Sequence, residues 1–183
     1  MLQQRYVLLD RDGVINIDSD QYIKSAEEWQ PIPGSLEAIA LLNQMGYKAV
    51  VVTNQSGLAR GLFDLTVLNE MHAKMHRLLA EKGGEISAIY VCPHLPEDHC
   101  SCRKPNPGLL VRFSQETQTP LTGLYFIGDS WKDAQTAQAV DAKPLLVKTG
   151  KGLITLANYP ESNIPNFEDL YAAAHYIIET EKS

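Results

Sequence analysis

Short apolar runs alternate along the chain with longer stretches in which apolar residues recur every three or four positions. Each short run is rich in β-branched or aromatic residues and is bounded by polar residues, glycine or proline, which is typical of a buried strand. The longer stretches have the periodicity of amphipathic helices. The predicted strands cover residues 6–9, 47–52, 86–91, 124–127 and 144–147. The predicted helices cover residues 36–45, 66–82, 107–116, 131–140 and 167–180, the first capped by Ser35 and ended by Gly46.

Strands that alternate with helices in this way predict βαβ units, right-handed crossovers and a mainly parallel sheet. The predicted fold class is therefore α/β. In open sheets of this kind, ligands bind beyond the carboxyl ends of the strands. Polar residues follow several of the predicted strands, so side chains that are far apart in sequence are expected to meet at one edge of the sheet.

Length and composition narrow the choice of partners. The chain of 183 residues is expected to form one domain, residues 1–183, because a chain of this length buries a sizeable core. A formal net charge of -6 argues against a nucleic-acid partner or a membrane surface. No apolar segment approaches the roughly 18 residues that span a bilayer, and the first residues do not resemble a secretory signal. The odd, clustered set of cysteines favours a reducing cytoplasm over disulfides.

Two carboxylates and a glycine follow the first predicted strand. Asp10 and Asp12 are two positions apart, so in an extended chain both side chains point the same way and Arg11 points away. Two like charges this close need a cation between them, or one must stay protonated. Magnesium suits an all-oxygen site of this kind. The alternative is a surface turn that carries two aspartates.

A second cluster, between the third predicted strand and the next helix, predicts a zinc site. Cys92, His94, Cys100 and Cys102 supply three thiolates and one imidazole, a complete tetrahedral shell. Such a shell has no open position for water, so the zinc would be structural. His99 could replace His94, but the Cys-x-His spacing favours His94. The alternative is a set of buried or redox-active thiols.

Four further polar residues lie at strand ends or in loops. Thr53 can offer a hydroxyl and a backbone N–H to an anion, and Lys104 is a point charge suited to a phosphoryl group. Asp129 and Asp133 share a face if a helix begins there. Taken singly, each has an ordinary reading as a helix cap, a solvated cation or an N-terminal helix pair. Their joint occurrence in this order favours the chemical reading.

This set of motifs resembles the haloacid dehalogenase superfamily of phosphotransferases. The matching motifs are Asp10-x-Asp12-Gly13, Thr53 after the second strand, Lys104 before a proline, and Gly128-Asp129-x-x-x-Asp133. The resemblance implies a Rossmann-like three-layer sandwich, here without a large cap domain. It also implies an aspartyl-phosphate mechanism, in which Asp10 attacks phosphorus and Asp12 acts as acid and base.

The resemblance also implies how magnesium and the phosphoryl group are held. Asp10, the backbone carbonyl of Asp12, and Asp129 would bind the ion. Thr53 and Lys104 would stabilise the phosphoryl group. The implied catalytic residues are Asp10, Asp12, Thr53 and Lys104; the magnesium residues are Asp10, Asp12 and Asp129, with Asp133 supporting Lys104 or the metal.

Residues 92–102 carry the predicted zinc ligands and form the zinc loop. Together with residues 10–16 and 53–61, this loop is similar to one subgroup of the superfamily, the sugar-bisphosphate and histidinol-phosphate phosphatases. Within this subgroup, residues 54–57 and 103–108 resemble the members that act on heptose phosphates, and this resemblance implies removal of the 7-phosphate of a heptose 1,7-bisphosphate. This resemblance implies a monomer, a small-molecule sugar-phosphate substrate, and contact of Arg103 with the uncleaved phosphate. The implied substrate-binding residues are Asp18, Ser19, Asp20, Gln21, Thr53, Asn54, Gln55, Ser56, Arg103 and Lys104.

Two alternatives stay open at this point. One is hydrolysis of histidinol phosphate, and the other is a non-catalytic zinc-bearing interaction module on the same fold. His72 and His76 are predicted to be ordinary helix-surface histidines rather than a metal-binding pair. Trp29 and Trp131 are predicted to be packing aromatics, with Trp131 near enough to Asp129 to border the site.

Overall fold

The structure is a computed structural model that describes residues 4–181 and contains, in that part of the chain, six strands, six α-helices and a short 3₁₀ helix at Pro96–Asp98. The strands are β1 (Arg5–Leu9), β2 (Tyr47–Asn54), β3 (Ile86–Cys92), β4 (Tyr125–Gly128), β5 (Lys143–Val147) and β6 (Asn166–Phe167). The helices are α1 (Ser35–Gln44), α2 (Leu65–Glu81), α3 (Gly108–Thr117), α4 (Trp131–Gln138), α5 (Gly152–Asn158) and α6 (Leu170–Thr180). Within residues 4–181, every helix is too short or too polar to cross a lipid bilayer.

All strand pairs are parallel, in the order β3-β2-β1-β4-β5-β6. Side chains alternate between the two faces of the sheet. Val7 and Leu9 therefore pack into one apolar layer with α1, α2 and α6. Leu8 packs into the opposite layer with α3. The result is a three-layer sandwich whose strands all end at the same edge.

The predicted α/β fold with a parallel sheet is confirmed. The strands β1–β5 lie where the apolar runs predict them, and no insertion within residues 4–181 is large enough to form a cap domain. Two short elements, α5 and β6, are absent from the prediction. Ser35 is not the cap of α1, because Gly34 occupies that position with φ 84°. Instead, the buried Ser35 hydroxyl donates to the carbonyl of Ile15 at 2.6 Å.

The long loop between β1 and α1 is fastened to the helix layer. Lys74 of α2 donates to the carbonyls of Ala26 and Trp29 at 2.8 and 2.7 Å. Trp29 is fully buried in the core, as predicted for a packing aromatic. The N–H of Ile32 donates to the carbonyl of Ile15, which closes the base of the loop. These contacts fix residues 16–34 over the carboxyl edge of the sheet.

Candidate active site

A cleft of about 550 Å³ opens at the carboxyl edge of the sheet. Asp10 enters it directly after β1, and Asp129 directly after β4. Asp133 lies in the first turn of α4, and Lys104 comes from the loop between β3 and α3. Parallel strands therefore bring together groups that the sequence spreads over more than a hundred positions.

Lys104 is buried between two carboxylates. Its ammonium group donates to Asp10 Oδ1 at 2.9 Å, to Asp133 Oδ1 at 2.7 Å and to the carbonyl of Val52 at 3.0 Å. These three contacts use all three donors of the ammonium group. Burial lowers the pKa of Lys104, but the charges of Asp10 and Asp133 outweigh it and raise the pKa above its usual value. Lys104 therefore stays charged and holds the carboxylate of Asp10 in place.

Asp10 has one occupied and one free carboxylate oxygen. Oδ1 accepts from Lys104 and from the N–H of Arg11 at 2.7 Å. No donor within residues 4–181 reaches Oδ2, which leaves that oxygen free to attack. Burial and the charge of Asp133 raise the pKa of Asp10 well above its usual value. An added cation would therefore stabilise the ionised, nucleophilic form.

Asp129 is held in a cradle of backbone. Its Oδ2 accepts from the N–H of Lys151 at 2.8 Å. A Cβ atom at Gly13 or Gly150 would collide with this carboxylate, and both glycines have positive φ, so the cradle requires glycine at both positions. Burial and the charge of Asp133 raise the pKa of Asp129 to about 7.

The carboxylates of Asp10, Asp129 and Asp133 fit a magnesium ion. Their oxygen atoms lie within 4.8 Å of one another, and Mg²⁺ prefers oxygen ligands of this kind. Asp133 is already committed to protein donors, because its Oδ2 accepts from the N–H and hydroxyl of Ser130 at 3.1 and 2.9 Å. Asp10 and Asp129 are thus the better ligands, and Asp133 supports Lys104.

The carboxylate of Asp12 lies outside this cluster, and the expectation of one cation shared by Asp10 and Asp12 side chains is wrong. Arg11 does not point away. Its Nη2 and Nε atoms donate to Asp12 Oδ1 at 2.9 and 3.1 Å. Asn16 also donates to Oδ1, and Gln55 donates to Oδ2 at 2.8 Å. Burial raises the pKa of Asp12, but the Arg11 charge and these hydrogen bonds outweigh it and lower the pKa.

The prediction of a surface position for His72 is also wrong. His72 is buried, and its Nε2 lies 3.2 Å from Nη1 of Arg11. Burial and the Arg11 charge lower the pKa of His72 to about 4. His76, one turn further along α2, is exposed as predicted.

Three cations line the outer part of the cleft. Lys151 lies 3.7 Å from Asp18. Arg103 and Lys132 have no ion pair with a carboxylate within residues 4–181, although Arg103 Nη1 donates to the carbonyl of His94 at 3.3 Å. Two cations without an anionic partner in one cleft favour an anionic ligand group there.

The four predicted zinc ligands come together in one cluster. Cys92, His94, Cys100 and Cys102 each offer a ligand atom within 4.8 Å of the others. The nearest S–S and S–N separations are 3.2–3.7 Å. A tetrahedral zinc site with its usual bond lengths has edges of roughly 3.5–3.8 Å. His99 lies outside the cluster. The donor set and the spacing therefore fit a closed zinc site.

Comparison with known proteins finds relatives along nearly the whole chain. The D-glycero-beta-D-manno-heptose-1,7-bisphosphate 7-phosphatase of Pseudomonas aeruginosa is 51% identical over 179 residues, which are 97% of this chain and 100% of that protein. The protein of the same name from Bordetella bronchiseptica is 47% identical over 96% of this chain and 98% of its own. The chain belongs to this phosphatase family.

Solved structures place this member of the heptose-bisphosphate 7-phosphatase family in the same fold. The crystal structure of the Bordetella bronchiseptica D,D-heptose 1,7-bisphosphate phosphatase, complexed with magnesium and phosphate, has a TM-score of 0.93, 47% identity, and coverage of 96% of this chain and 99% of that chain. The Burkholderia thailandensis phosphatase gives 0.76, with 40% identity and coverage of 95% and 98%. The HAD-hydrolase-like family model matches residues 101–172, and the predicted superfamily resemblance is confirmed.

In this family member, the structure brings all but two of the candidate substrate-binding residues to the cleft. Gln21 is exposed and does not line the cleft, and its backbone N–H donates to the hydroxyl of Ser19. Thr53 is buried beneath it and accepts from Gln55 at 3.0 Å. The residues that line the cleft are Asp18, Ser19, Asp20, Asn54, Gln55, Ser56, Arg103 and Lys104.

Several cleft residues were not predicted from the sequence. Lys132 lies inside the Gly128-Asp129-x-x-x-Asp133 motif, so its position was a usable signal. Lys151 and Tyr159 follow the last predicted strand, where no pattern marks them. Tyr159 stacks on Trp131 with ring centroids 4.1 Å apart, so Trp131 both packs and borders the cleft.

Proposed function

We propose that this protein is a phosphoric monoester hydrolase that removes the 7-phosphate of D-glycero-β-D-manno-heptose 1,7-bisphosphate and leaves heptose 1-phosphate. Relatives that are 45–51% identical over nearly the full length bear this name. The observation that carries the proposal is the free Oδ2 of Asp10, beside Lys104 and Asp129 at the carboxyl edge of a chain of this family.

In the proposed reaction, Asp10 Oδ2 forms a bond to phosphorus as the bond to the C7 oxygen of the sugar breaks. Asp12 gives a proton to that leaving oxygen, since the approaching phosphate charge raises its pKa. The aspartyl phosphate is then attacked by water, from which the ionised Asp12 takes a proton. Phosphate leaves and the carboxylate of Asp10 is restored.

We propose that Asp10, Asp129 and the backbone carbonyl of Asp12 hold magnesium, with Asp133 supporting Lys104. When bound, magnesium neutralises charge on the phosphoryl oxygens. Lys104 fixes Asp10 for attack, and its own position is fixed by Asn54. The N–H of Lys104 donates to Asn54 Oδ1 at 3.1 Å, and Asn54 Nδ2 donates to the carbonyl of Lys104 at 3.2 Å.

The outer cations favour a bisphosphate over histidinol phosphate. Arg103 and Lys132 suit a second phosphate, whereas the cationic amine of histidinol would be repelled there. Asp18 and Asp20 line the same cleft and can accept hydrogen bonds from sugar hydroxyls.

We further propose a structural zinc ion in the Cys92, His94, Cys100 and Cys102 cluster. Arg103 and Lys104 directly follow the last of these ligands, and Arg103 bonds to the carbonyl of His94. A fixed loop would aim both cations into the cleft. A single domain, a monomeric state and a cytoplasmic location complete the proposal.

Phosphate release from three substrates tests this function. With magnesium present, we expect the purified protein to hydrolyse heptose 1,7-bisphosphate with a kcat/KM at least about tenfold above that for histidinol phosphate. An aryl phosphate serves as a generic substrate. The reverse preference would favour the histidinol-phosphate alternative, and no hydrolysis of any substrate would favour the non-catalytic interaction module.

A further inference from the structure

A buried chain of hydrogen bonds leads from Asp12 into helix α2. The side chain of Arg11 is completely buried. On one side, its Nη2 and Nε atoms donate to Asp12 Oδ1 at 2.9 and 3.1 Å. On the other side, its Nη1 lies 3.2 Å from Nε2 of His72 and 4.0 Å from the sulfur of Met71. The guanidinium group is thus held between the β1 loop and α2.

The chemistry of the two groups fixes the direction of the Arg11–His72 contact. A guanidinium group stays protonated in proteins and offers only donors. Nε2 of His72 must therefore accept, which places the ring proton on Nδ1 and leaves the imidazole neutral. The low pKa of His72, about 4, agrees with a neutral ring at neutral pH.

The geometry points to His72 as a positioning residue for the acid–base step, one that orients Arg11 and, through Arg11, the carboxylate of Asp12. This inference rests on the proposed phosphatase function, because Asp12 is the acid and base of that reaction. A guanidinium group fixed at Nη1 keeps Nε and Nη2 aimed at a single oxygen of Asp12. Without an acceptor at position 72, Nη1 would keep only the weak sulfur acceptor of Met71, and the guanidinium group would turn to find a stronger partner.

Three variants at positions 72 and 76 of α2 distinguish a His72 that positions Arg11 from a His72 that only packs in the core. His72→Leu removes the acceptor, and His72→Gln restores an acceptor near the position of Nε2. His76→Leu is the matched control, because His76 is exposed one turn away on α2. For His72→Leu with heptose 1,7-bisphosphate, we expect kcat to fall about tenfold, a part of what acid–base groups supply, with KM within about twofold. We expect His72→Gln to stay within about threefold of the wild-type kcat, and His76→Leu within about twofold.

A spectroscopic measurement on the unaltered protein covers the case in which His72→Leu fails to fold. We expect the ¹⁵N shifts of His72 near pH 7 to show a neutral ring with the proton on Nδ1; a proton on Nε2 would overturn the inference. Equal kcat values for His72→Leu and His76→Leu, or no recovery in His72→Gln, would also overturn it. If the wild-type protein hydrolyses no phosphate ester, the proposed function fails instead, and the ring tautomer still decides the Arg11–His72 contact.

Discussion

Asp10 and Asp12 are two positions apart, but their carboxyl groups have opposite electrostatic surroundings. Asp10 shares Lys104 with Asp133, so burial and the Asp133 charge raise its pKa. Asp12 forms an ion pair with Arg11. Burial raises the pKa of Asp12, but the Arg11 charge and the hydrogen bonds to Asp12 outweigh burial and lower it. Environments that shift neighbouring carboxyl groups in opposite directions assign them different roles. In the proposed reaction, a cation would stabilise the ionised, nucleophilic form of Asp10, and the ionised carboxylate of Asp12 would accept the proton of the attacking water.

The first prediction concerns the nucleophile. Asp10→Asn replaces the attacking oxygen by an amide, so we expect kcat with heptose 1,7-bisphosphate to fall at least about a thousandfold. The wild-type protein, quenched during turnover with ³²P-labelled substrate, should carry acid-stable label that the variant lacks. Asp141→Asn is the matched control, because Asp141 is exposed in a turn with φ 57°, a conformation that asparagine tolerates. Turnover near the wild-type rate in Asp10→Asn would exclude the covalent mechanism.

The second prediction concerns the uncleaved phosphate. Lys132→Met removes a cation that lines the cleft without an ion-pair partner within residues 4–181. We expect KM for heptose 1,7-bisphosphate to rise about fivefold, with KM for an aryl phosphate unchanged, because only the bisphosphate has a second anionic group. Lys48→Met is the control, since Lys48 is exposed at the opposite end of β2. An equal rise in KM for both substrates would contradict this role.

At the residue scale, the sequence predicted which groups meet but not how they pair. Strand ends and short motifs placed Asp10, Lys104 and Asp129 at one edge because parallel strands end together. The pairing of Arg11 with Asp12 and His72 could not be predicted, because it depends on how deeply a side chain reaches under α2. Helical periodicity predicts on which face of α2 His72 lies, but it does not predict that the buried guanidinium group of Arg11 contacts its ring.

At the scale of elements, residues 92–102 carry the four proposed zinc ligands and join β3 to Arg103 and Lys104 in the cleft. We expect Cys100→Ala to lose about 3 kcal/mol of stability, which lowers the Tm by about 6–12 °C in a chain of this size. Zinc content should fall below one equivalent, and kcat should fall because Lys104 and Arg103 follow the loop. Melting curves and metal analysis measure both effects.

Ser101→Ala is the control for that variant, because Ser101 is the exposed residue between the last two ligands. It should bind one zinc ion and melt within about 2 °C of the wild-type protein. If Cys100→Ala melts like the wild-type protein while it contains no zinc, the cluster has no structural role.

Elements with a strong apolar pattern were predictable, and elements without one were not. The strands β1–β5 have near-continuous apolar runs because both faces of the parallel sheet are covered. Helix α5 buries only Gly152 and Thr155 and exposes Leu153 and Ile154, so it has no amphipathic signal. Strand β6 has only the residues Asn166–Phe167, too few for an alternation to be visible. Its pairing with β5 is decided by tertiary structure.

For the whole molecule, the buried ionisable groups make opposing contributions to acid stability. Asp129, with a pKa raised to about 7, binds a proton more readily in the folded than in the unfolded chain. In metal-free protein, its contribution to the free energy of unfolding therefore increases as the pH falls below 7. His72 acts in the opposite direction, because its pKa is lowered from 6.5 to about 4. A single stability curve would mix these contributions, and only a difference between variants separates them.

The last prediction isolates the contribution of His72. The unfolded chain binds a proton at His72 below about pH 6.5, and the folded chain does so only near pH 4. The stability from the neutral ring is therefore complete above pH 6.5 and is lost as the pH falls towards 4. The groups that face the ring are Arg11, His76 and Asp12, and the net effect of burial and these charges is to oppose protonation. His72→Gln has no such titration, so the wild-type protein should lose about 3 kcal/mol of unfolding free energy relative to it between pH 7 and pH 4.

Urea unfolding at several pH values measures this difference directly. His76→Gln is the matched control, because it makes the same substitution at an exposed position one turn away on α2. The Asp129 contribution is common to all three proteins and cancels in each comparison. A wild-type protein that tracks His72→Gln from pH 7 to pH 4 would mean that His72 is free to take up a proton in the folded state. In that case the ring could not be the acceptor that holds Arg11.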